Sequence, residues 1–289
     1  IPFARGRVRS RKPEQVEEEV RSLADAGYHE IVLTGIHLSS YGLDFHGESY
    51  NTTGGQGNEQ ELLHLIERIH AVDGITRIRL GSLEPRVITE AFAGALAALP
   101  KVCPHFHLSL QSGCDSVLKR MNRRYTTEEF ARSVEILRRV YEHPAITTDV
   151  ITGFPGETGE EFAQTVAYLE KIRFFEMHVF PYSRREGTVA ADMPGQLTEK
   201  EKKQRSSVLL AMTARHSREY REYYIGKEQE VLFEQSHEIE GRQYLTGHTR
   251  NYVRVAIPAE GIDPAEMTNQ ERICRLTGFT DDETLLGTY

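Results

Sequence analysis

Between Glu14 and Tyr182 one pattern repeats five times: a helix-spaced apolar segment, a short apolar run, and a turn containing Gly or Pro. In the first copy, Val16, Val20, Leu23 and Ala24 fall at helical spacing, Pro13 suits a first turn, and Gly27 suits a stop. Ile31-Val32-Leu33 follows as a run apolar on both faces, the mark of a strand covered on both sides. The later copies place helices at 62–71, 88–99, 130–140 and 162–172, and strands at 75–80, 105–110, 146–151 and 177–180. Strands separated by helices imply crossover connections and a parallel α/β sheet, either open or curved into a partial barrel.

Two stretches break the pattern. Residues 47–60 are Gly-, Ser-, Asn- and Thr-rich, and read as a surface insertion. After a long charged helix at 197–224, five short Val-, Ile-, Leu- and Tyr-rich runs separated by turn residues predict a small all-β barrel. The expected division is therefore 1–224 and 225–289.

Composition narrows the function classes. No apolar run approaches the roughly 20 residues of a membrane helix, and three scattered cysteines, Cys103, Cys114 and Cys274, give no disulfide framework and favour a reducing cytoplasm. A net charge of −8 argues against coating nucleic acid by bulk attraction, so RNA binding has to come from local patches such as Arg5 to Lys12 or Lys119 to Arg124. The opening residues from Ile1 have neither an initiator Met nor a signal peptide, and read as an internal cut.

In parallel α/β folds ligands gather at the carboxyl ends of the strands. Here those ends carry Thr34-Gly35-Ile36-His37, Gly81-Ser82-Leu83-Glu84-Pro85, Ser109-Leu110-Gln111-Ser112-Gly113, Thr152-Gly153-Phe154-Pro155-Gly156-Glu157 and Pro181-Tyr182-Ser183-Arg184. Glycines allow close backbone approach, while Gln, Ser and Glu can bind hydroxyl or amino groups. The glycines at 153–159 lack the following Lys of a phosphate loop. His37, His105, His107 and His178 have no metal-ligand spacing, so no metal site is expected from them.

These turns, with Arg5-Gly6-x-x-Arg9-Ser10-Arg11 and Met121-Asn122-Arg123-Arg124-Tyr125-Thr126, resemble in order and spacing the radical S-adenosylmethionine methylthiotransferases. The resemblance covers nearly the whole chain, and its terminal barrel resembles a TRAM domain. Thr34 to His37 and Leu80 to Pro85 resemble the branch that modifies N6-threonylcarbamoyladenosine at position 37 of tRNA. The resemblance implies a radical SAM core without its first strand, S-adenosylmethionine as cofactor, and a 4Fe-4S cluster held by C-x3-C-x2-C. It further implies a radical that takes hydrogen from C2 of the adenine before sulfur insertion, with a second S-adenosylmethionine giving the methyl group. The cysteines here stand 11 and 160 residues apart, so the motif is not among them, and the resemblance puts it immediately before Ile1. On this reading the chain alone is inactive, and Cys103 and Cys114 are a buried thiol and a small loop residue.

Carried over residue by residue, the resemblance assigns the S-adenosylmethionine contacts to Gly35, Glu84, Gln111, Ser112, Arg123, Gly153, Pro155, Pro181 and Tyr182. Arg123 would pair with the carboxylate of the cofactor. The partner implied is the tRNA anticodon arm, with the sulfur donor left open. Residues 226–289 hold six basic and twelve acidic side chains, but 242–252 contain none of the acids. Arg242, Tyr244, His248, Arg250 and Tyr252 are accordingly the expected RNA contacts on one hairpin, by stacking and phosphate pairing. Two rivals stay open: methylthiolation of another substrate (isopentenyladenosine tRNA or a ribosomal protein), and an RNA-binding module without chemistry.

Overall fold

The computed structural model describes residues 8–35, 37–45, 58–239 and 241–289. Arg5, Arg7, Ile36 and most of the insertion, 47–57, lie outside these residues. The element order is α1 (Pro13–Asp25), β1 (Glu30–Leu33), α2 (Asn58–His70), β2 (Arg77–Leu80), α3 (Glu90–Ala97) and β3 (His105–His107). Then come α4 (Asp115–Arg120), α5 (Thr127–Val140), β4 (Ala145–Thr152), α6 (Gly159–Ile172), β5 (Glu176–Pro181), α7 (Val189–Asp192) and α8 (Glu199–Glu222). The last part is β6 (Glu228–Ile239), β7 (Arg242–Thr249), β8 (Arg254–Pro258), α9 (Pro264–Met267), β9 (Glu271–Phe279) and β10 (Leu285–Thr288).

Local chemistry explains the helix ends. Pro13 sits in the first turn of α1, and the chain leaves it through Gly27 at φ 88°. Thr158 opens α6 and Thr198 opens α8, each with a reciprocal capping box closed by Glu161 and Glu201. Asn58, Glu59 and Gln60, read from composition as insertion, already belong to α2, because Glu59 and Glu61 favour the first turn of a helix whose apolar stripe begins at Leu62. β3 ends at His107, three residues before the expected strand does.

By contact density the chain divides into two compact units, Ile1–His107 with Glu135–Pro144, and Leu108–Val134 with Ala145–Tyr289. In the first, β1 and β2 pair in parallel, Glu30 opposite Arg77 and Leu33 opposite Leu80. Ile66, Ile69, Ile78, Leu96 and Phe106 are fully buried in it. Arg79 is buried too and holds both oxygens of Glu30 at 2.9 and 3.0 Å, so the charge lost to water is met by a forked pair. Cys103 is a buried thiol, as expected.

In the second unit β4 pairs in parallel with β5, Thr147 opposite Glu176 through Thr152 opposite Pro181. On its other edge β4 receives residues 108–111: Leu108 N–H donates to Thr147 O at 2.9 Å, and Gln111 N–H to Asp149 O at 2.8 Å. Helix α8 lies along this sheet, with the Thr213 hydroxyl accepting from Met177 N–H at 2.8 Å. Beyond α8 the expected barrel is present and closed, in the order β10-β8-β7-β6-β9. Only the β8–β10 pairing is parallel. Val231, Phe233, Leu245, Val255, Ile257, Leu276 and Leu285 fill it, and Tyr224, Phe175 and Ala145 join the same buried cluster. No helix among the described residues is long and apolar enough to cross a membrane.

Gly247 is the tightest point of the barrel. It faces Phe233, where the β6–β7 register shifts, and a Cβ there would stand 2.0 Å from the Leu232 carbonyl oxygen. The Leu232–Phe233 backbone cannot yield as a side chain can, so Gly247→Ala is expected to destabilise the protein by about 3 kcal/mol, the upper end of overpacking effects, read as a lowered urea midpoint.

Candidate functional site

In the first unit the turns after β1 and β2 come together. The Ser39 hydroxyl accepts from Glu84 N–H at 2.8 Å, and Gly81 N–H donates to Leu33 O at 2.8 Å. Gly35 is exposed at the start of its turn. Glu84 stands at the start of a short 3-10 helix, Pro85–Val87, yet its carboxylate does not cap it. It accepts instead from Arg86 at 3.2 Å and lies 4.0 Å from His37.

In the second unit Gln111, Ser112, Gly153, Pro155 and Tyr182 cluster around the ends of β4 and β5. Gln111 departs furthest from ordinary backbone geometry: its φ is +73°, a left-handed conformation that non-glycine residues rarely adopt. The residue is nonetheless tied to the sheet, because Gln111 N–H is bound to Asp149 O and Gln111 O to Ile151 N–H, the latter at 2.9 Å. The residue is only 8% exposed, while its carboxamide makes no hydrogen bond to any described residue. An amide group held on a strained, nearly buried residue is available to an external hydrogen-bond donor or acceptor. Ser112 differs. It is fully buried, with its hydroxyl 3.3 Å from that of Thr165 and accepting from Cys114 N–H, so it shapes the loop from within.

Gly153 (φ +70°) and Pro155 form the buried turn after β4. Tyr182 N–H donates to Thr152 O at 2.8 Å, its ring meets Phe154 edge-on at 5.4 Å, and its phenolic oxygen is buried with no hydrogen-bond partner among the described residues. Pro181 is exposed beside it. Arg123 is exposed on the turn after α4, and its guanidinium makes no ion pair with a described residue.

Charged groups outside the expected contact residues support this turn. Glu157 is buried, accepts from Gly153 N–H at 3.2 Å, and pairs with Arg205 of α8. Burial pushes its carboxyl up in spite of the pull of Arg205 and of the Gly153 amide. Lys202, also on α8, is buried against Tyr182. Glu161 joins Arg120, at 2.6 Å, to the start of α6, and the Ser116 hydroxyl donates to it. The helix itself is expected at 197–224, but the i, i+3, i+4 spacing of Lys202, Arg205 and Ser206 on it reads as ordinary helix surface.

The barrel residues lie on one hairpin, with Arg242, Tyr244 and His248 on β7 and Arg250 and Tyr252 in the turn that leads to β8. Arg242 to Thr249 is one strand, paired with β6 on one side and β8 on the other. Arg242 and Tyr244 line an open cleft of about 520 Å³ with Pro258 and Glu260. At the other end of the strand, the His248 ring stacks on Tyr252 at 4.6 Å, with the rings 14° from parallel. Tyr252 is 42% exposed, so it is not packed in the barrel. Acids on β6 reach this end: Glu234 lies 2.8 Å from His248 Nδ1, and Glu230 lies 3.9 Å from Arg250.

Comparison with known proteins turns this geometry into an identification. Residues 2–169 match the Radical SAM superfamily. The chain belongs to it. The threonylcarbamoyladenosine tRNA methylthiotransferase MtaB of Bacillus subtilis is 41% identical over 88% of this chain and 54% of its own length. The protein of the same name from Thermotoga maritima is 42% identical over 81% of this chain and 51% of its own. The tRNA-2-methylthio-N(6)-dimethylallyladenosine synthase of Pelotomaculum thermopropionicum is 37% identical over 96% of this chain and 60% of its own. The chain thus spans about half the length of the curated relatives it matches. The radical SAM enzyme coproporphyrinogen III oxidase (HemN) of Escherichia coli shares the fold, with a TM-score of 0.50 at 16% identity over 73% of this chain and 48% of its own.

Radical SAM proteins use S-adenosylmethionine and a 4Fe-4S cluster. The cysteines of this chain do not fit the cluster. Cys114 is buried with its sulfur 3.1 Å from Gln164 Oε1, and Cys274 lies in the barrel core, where burial pushes its thiol up to about 11, away from the thiolate that iron requires. The surroundings of Gln111 do fit S-adenosylmethionine, since they offer an uncommitted amide beside a glycine- and proline-shaped turn.

Glu161 yields a pH prediction. The hydrogen bond from Arg120, followed by those from Ser116 and the Thr158 amide, brings its carboxyl down to about 2. A depressed carboxyl contributes stability above its unfolded value of 4.5 and loses that contribution as pH falls toward 2. Allowing for solvent at the helix start, Glu161→Gln should remove about 1–2 kcal/mol at pH 7. The variant and parent stability curves, measured by urea unfolding, should converge between pH 4.5 and 2.

Proposed function

We propose that this chain is the core and RNA-binding part of a methylthiotransferase that modifies C2 of N6-threonylcarbamoyladenosine at position 37 of tRNA. The observation that carries the reading is the 41% identity to the Bacillus subtilis MtaB protein across 88% of the chain. The turns after β1 and β2 support this branch.

In the second unit the Gln111 carboxamide binds the ribose of S-adenosylmethionine, Ser112 shapes the loop behind it, and Gly153 with Pro155 forms the adenine shelf beside backbone at Pro181 and Tyr182. Arg123 offers its fork to the carboxylate of the cofactor. The assignment of Gly35 and Glu84, in the first unit, rests on the resemblance of their turns alone. S-adenosylmethionine, on taking one electron from the family's 4Fe-4S cluster, would supply the radical that opens the C2–H bond, and a second molecule of it would supply the methyl group. The barrel, as a TRAM-like module over 225–289, meets the anticodon arm through Arg242, Tyr244, His248, Arg250 and Tyr252. Exposed, stacked rings next to cations suit unpaired bases.

A second reading has a specific support: the dimethylallyladenosine synthase of Pelotomaculum thermopropionicum is 37% identical over 96% of the chain. Nucleoside mass spectrometry of a strain lacking the gene separates the two. Loss of the methylthio group from threonylcarbamoyladenosine alone is expected, and loss confined to the dimethylallyl nucleoside would transfer the assignment. In the full-length protein, Arg242→Ala should weaken tRNA binding and reduce the slope of log K against log salt by up to about one unit, measured by filter binding across a salt series.

A further inference from the structure

The turn after β4 and the end of β5 are held from behind by one face of α8. Lys202, Arg205 and Ser206 fall at i, i+3 and i+4 and share a side of the helix. The Ser206 hydroxyl is 2.7 Å from that of Thr152, the last residue of β4. Arg205 donates to both the carboxylate and the carbonyl of Glu157, and Glu157 in turn accepts from Gly153 N–H. Lys202 joins the two strand ends. Its Nζ donates to the Tyr182 carbonyl at 3.0 Å, while its stem fills the space over Gly153 so closely that a Cβ there would lie 2.6 Å from Lys202 Cγ.

The placement of that ammonium is unfavourable for stability alone. Lys202 is 5% exposed, and the one carboxylate it reaches among the described residues, Glu199 at 2.6 Å, belongs to a residue whose side chain is 86% exposed. A buried cation with a solvated counter-charge recovers little of its lost hydration. What the ammonium provides is direction: it holds the carbonyl of Tyr182, a residue whose N–H is already bound to Thr152 O, so the backbone is anchored on both sides of the Tyr182 Cα.

We propose that Lys202 is a positioning residue of the S-adenosylmethionine site, acting through the Tyr182 carbonyl and the Gly153 turn to hold the surface on which the adenosine moiety lies. The inference rests on the reading of that turn given above and extends the site into α8, beyond the residues 2–169 that match the superfamily.

The test uses the full-length holoenzyme with Lys202→Met, which keeps the stem and removes the charge, and Ser206→Ala, which removes the smaller anchor. Dissociation constants for S-adenosylmethionine are measured by calorimetry, KM and kcat for 5′-deoxyadenosine release by chromatography, and folding by thermal melting. The expected result for Lys202→Met is a roughly tenfold rise in both Kd and KM for S-adenosylmethionine. Its kcat and its KM for tRNA should stay within about twofold, at an unchanged or higher melting temperature; Ser206→Ala should show a smaller rise, about threefold. Unchanged Kd in both variants overturns the proposal, as does a loss that falls equally on both substrates with a lowered melting temperature. If Lys202→Met does not fold, Ser206→Ala alone decides by the same criterion. A parent enzyme that neither binds nor cleaves S-adenosylmethionine sinks the functional reading itself, a result distinct from either outcome in the variants.

Discussion

β4 is the strand on which the second unit depends. It is hydrogen-bonded on both edges, to residues 108–111 and to β5, and six of its eight residues are buried. A strand in that position has no freedom to slip, because a one-residue shift would turn Val150 out and Asp149 in. Everything chemically interesting nearby inherits that fixity. Gln111, with its left-handed backbone, is tied to β4 by two bonds, and the Gly153 turn starts where the last of those pairings ends. The strain at Gln111 is thus distributed into a ladder that would have to break before the residue could relax.

Much of this was legible in the sequence. Helix-spaced and strand-length apolar runs gave every long element in order, because burial on one stripe or on both faces leaves a period in the residues that form it. The turns that end β1, β2, β4 and β5 were visible through Gly and Pro. Other features were not visible. The Arg79–Glu30 pair joins residues 49 apart through the register of two strands, and no local period records a long-range partner. The same holds for Arg205 and Glu157, which lie 48 apart. Composition misled at Asn58 to Gln60, where polar residues form the first turn of α2 rather than a loop.

Acid-free sequence in β7 likewise does not mean an acid-free surface. Pairing with β6 brings Glu230 and Glu234 to Arg250 and His248, so the cationic character of that end is moderated by its neighbour strand, whereas Arg242 at the opposite end faces an open cleft. Charge on a sheet belongs to rows across strands rather than to one segment. Across β7, the cations available to phosphate are therefore unequal, with Arg242 the less encumbered.

The apolar cluster that fills the barrel does not stop at its wall. Ala145 at the start of β4, Phe175 just before β5 and Tyr224 just after α8 are buried with Val231, Leu245 and Leu285, and the Tyr220 ring lies 4.4 Å from that of Phe175. A shared interior of this kind couples melting: the barrel cannot open without wetting the base of the parallel sheet, nor the sheet without wetting the barrel. Cooperativity then extends across what looks like a modular join, and amide hydrogens at Phe233 and at Val150 should be released to solvent in the same opening event. A cut at residue 224 would not free a ready-made module. It would expose a fresh apolar surface on each piece.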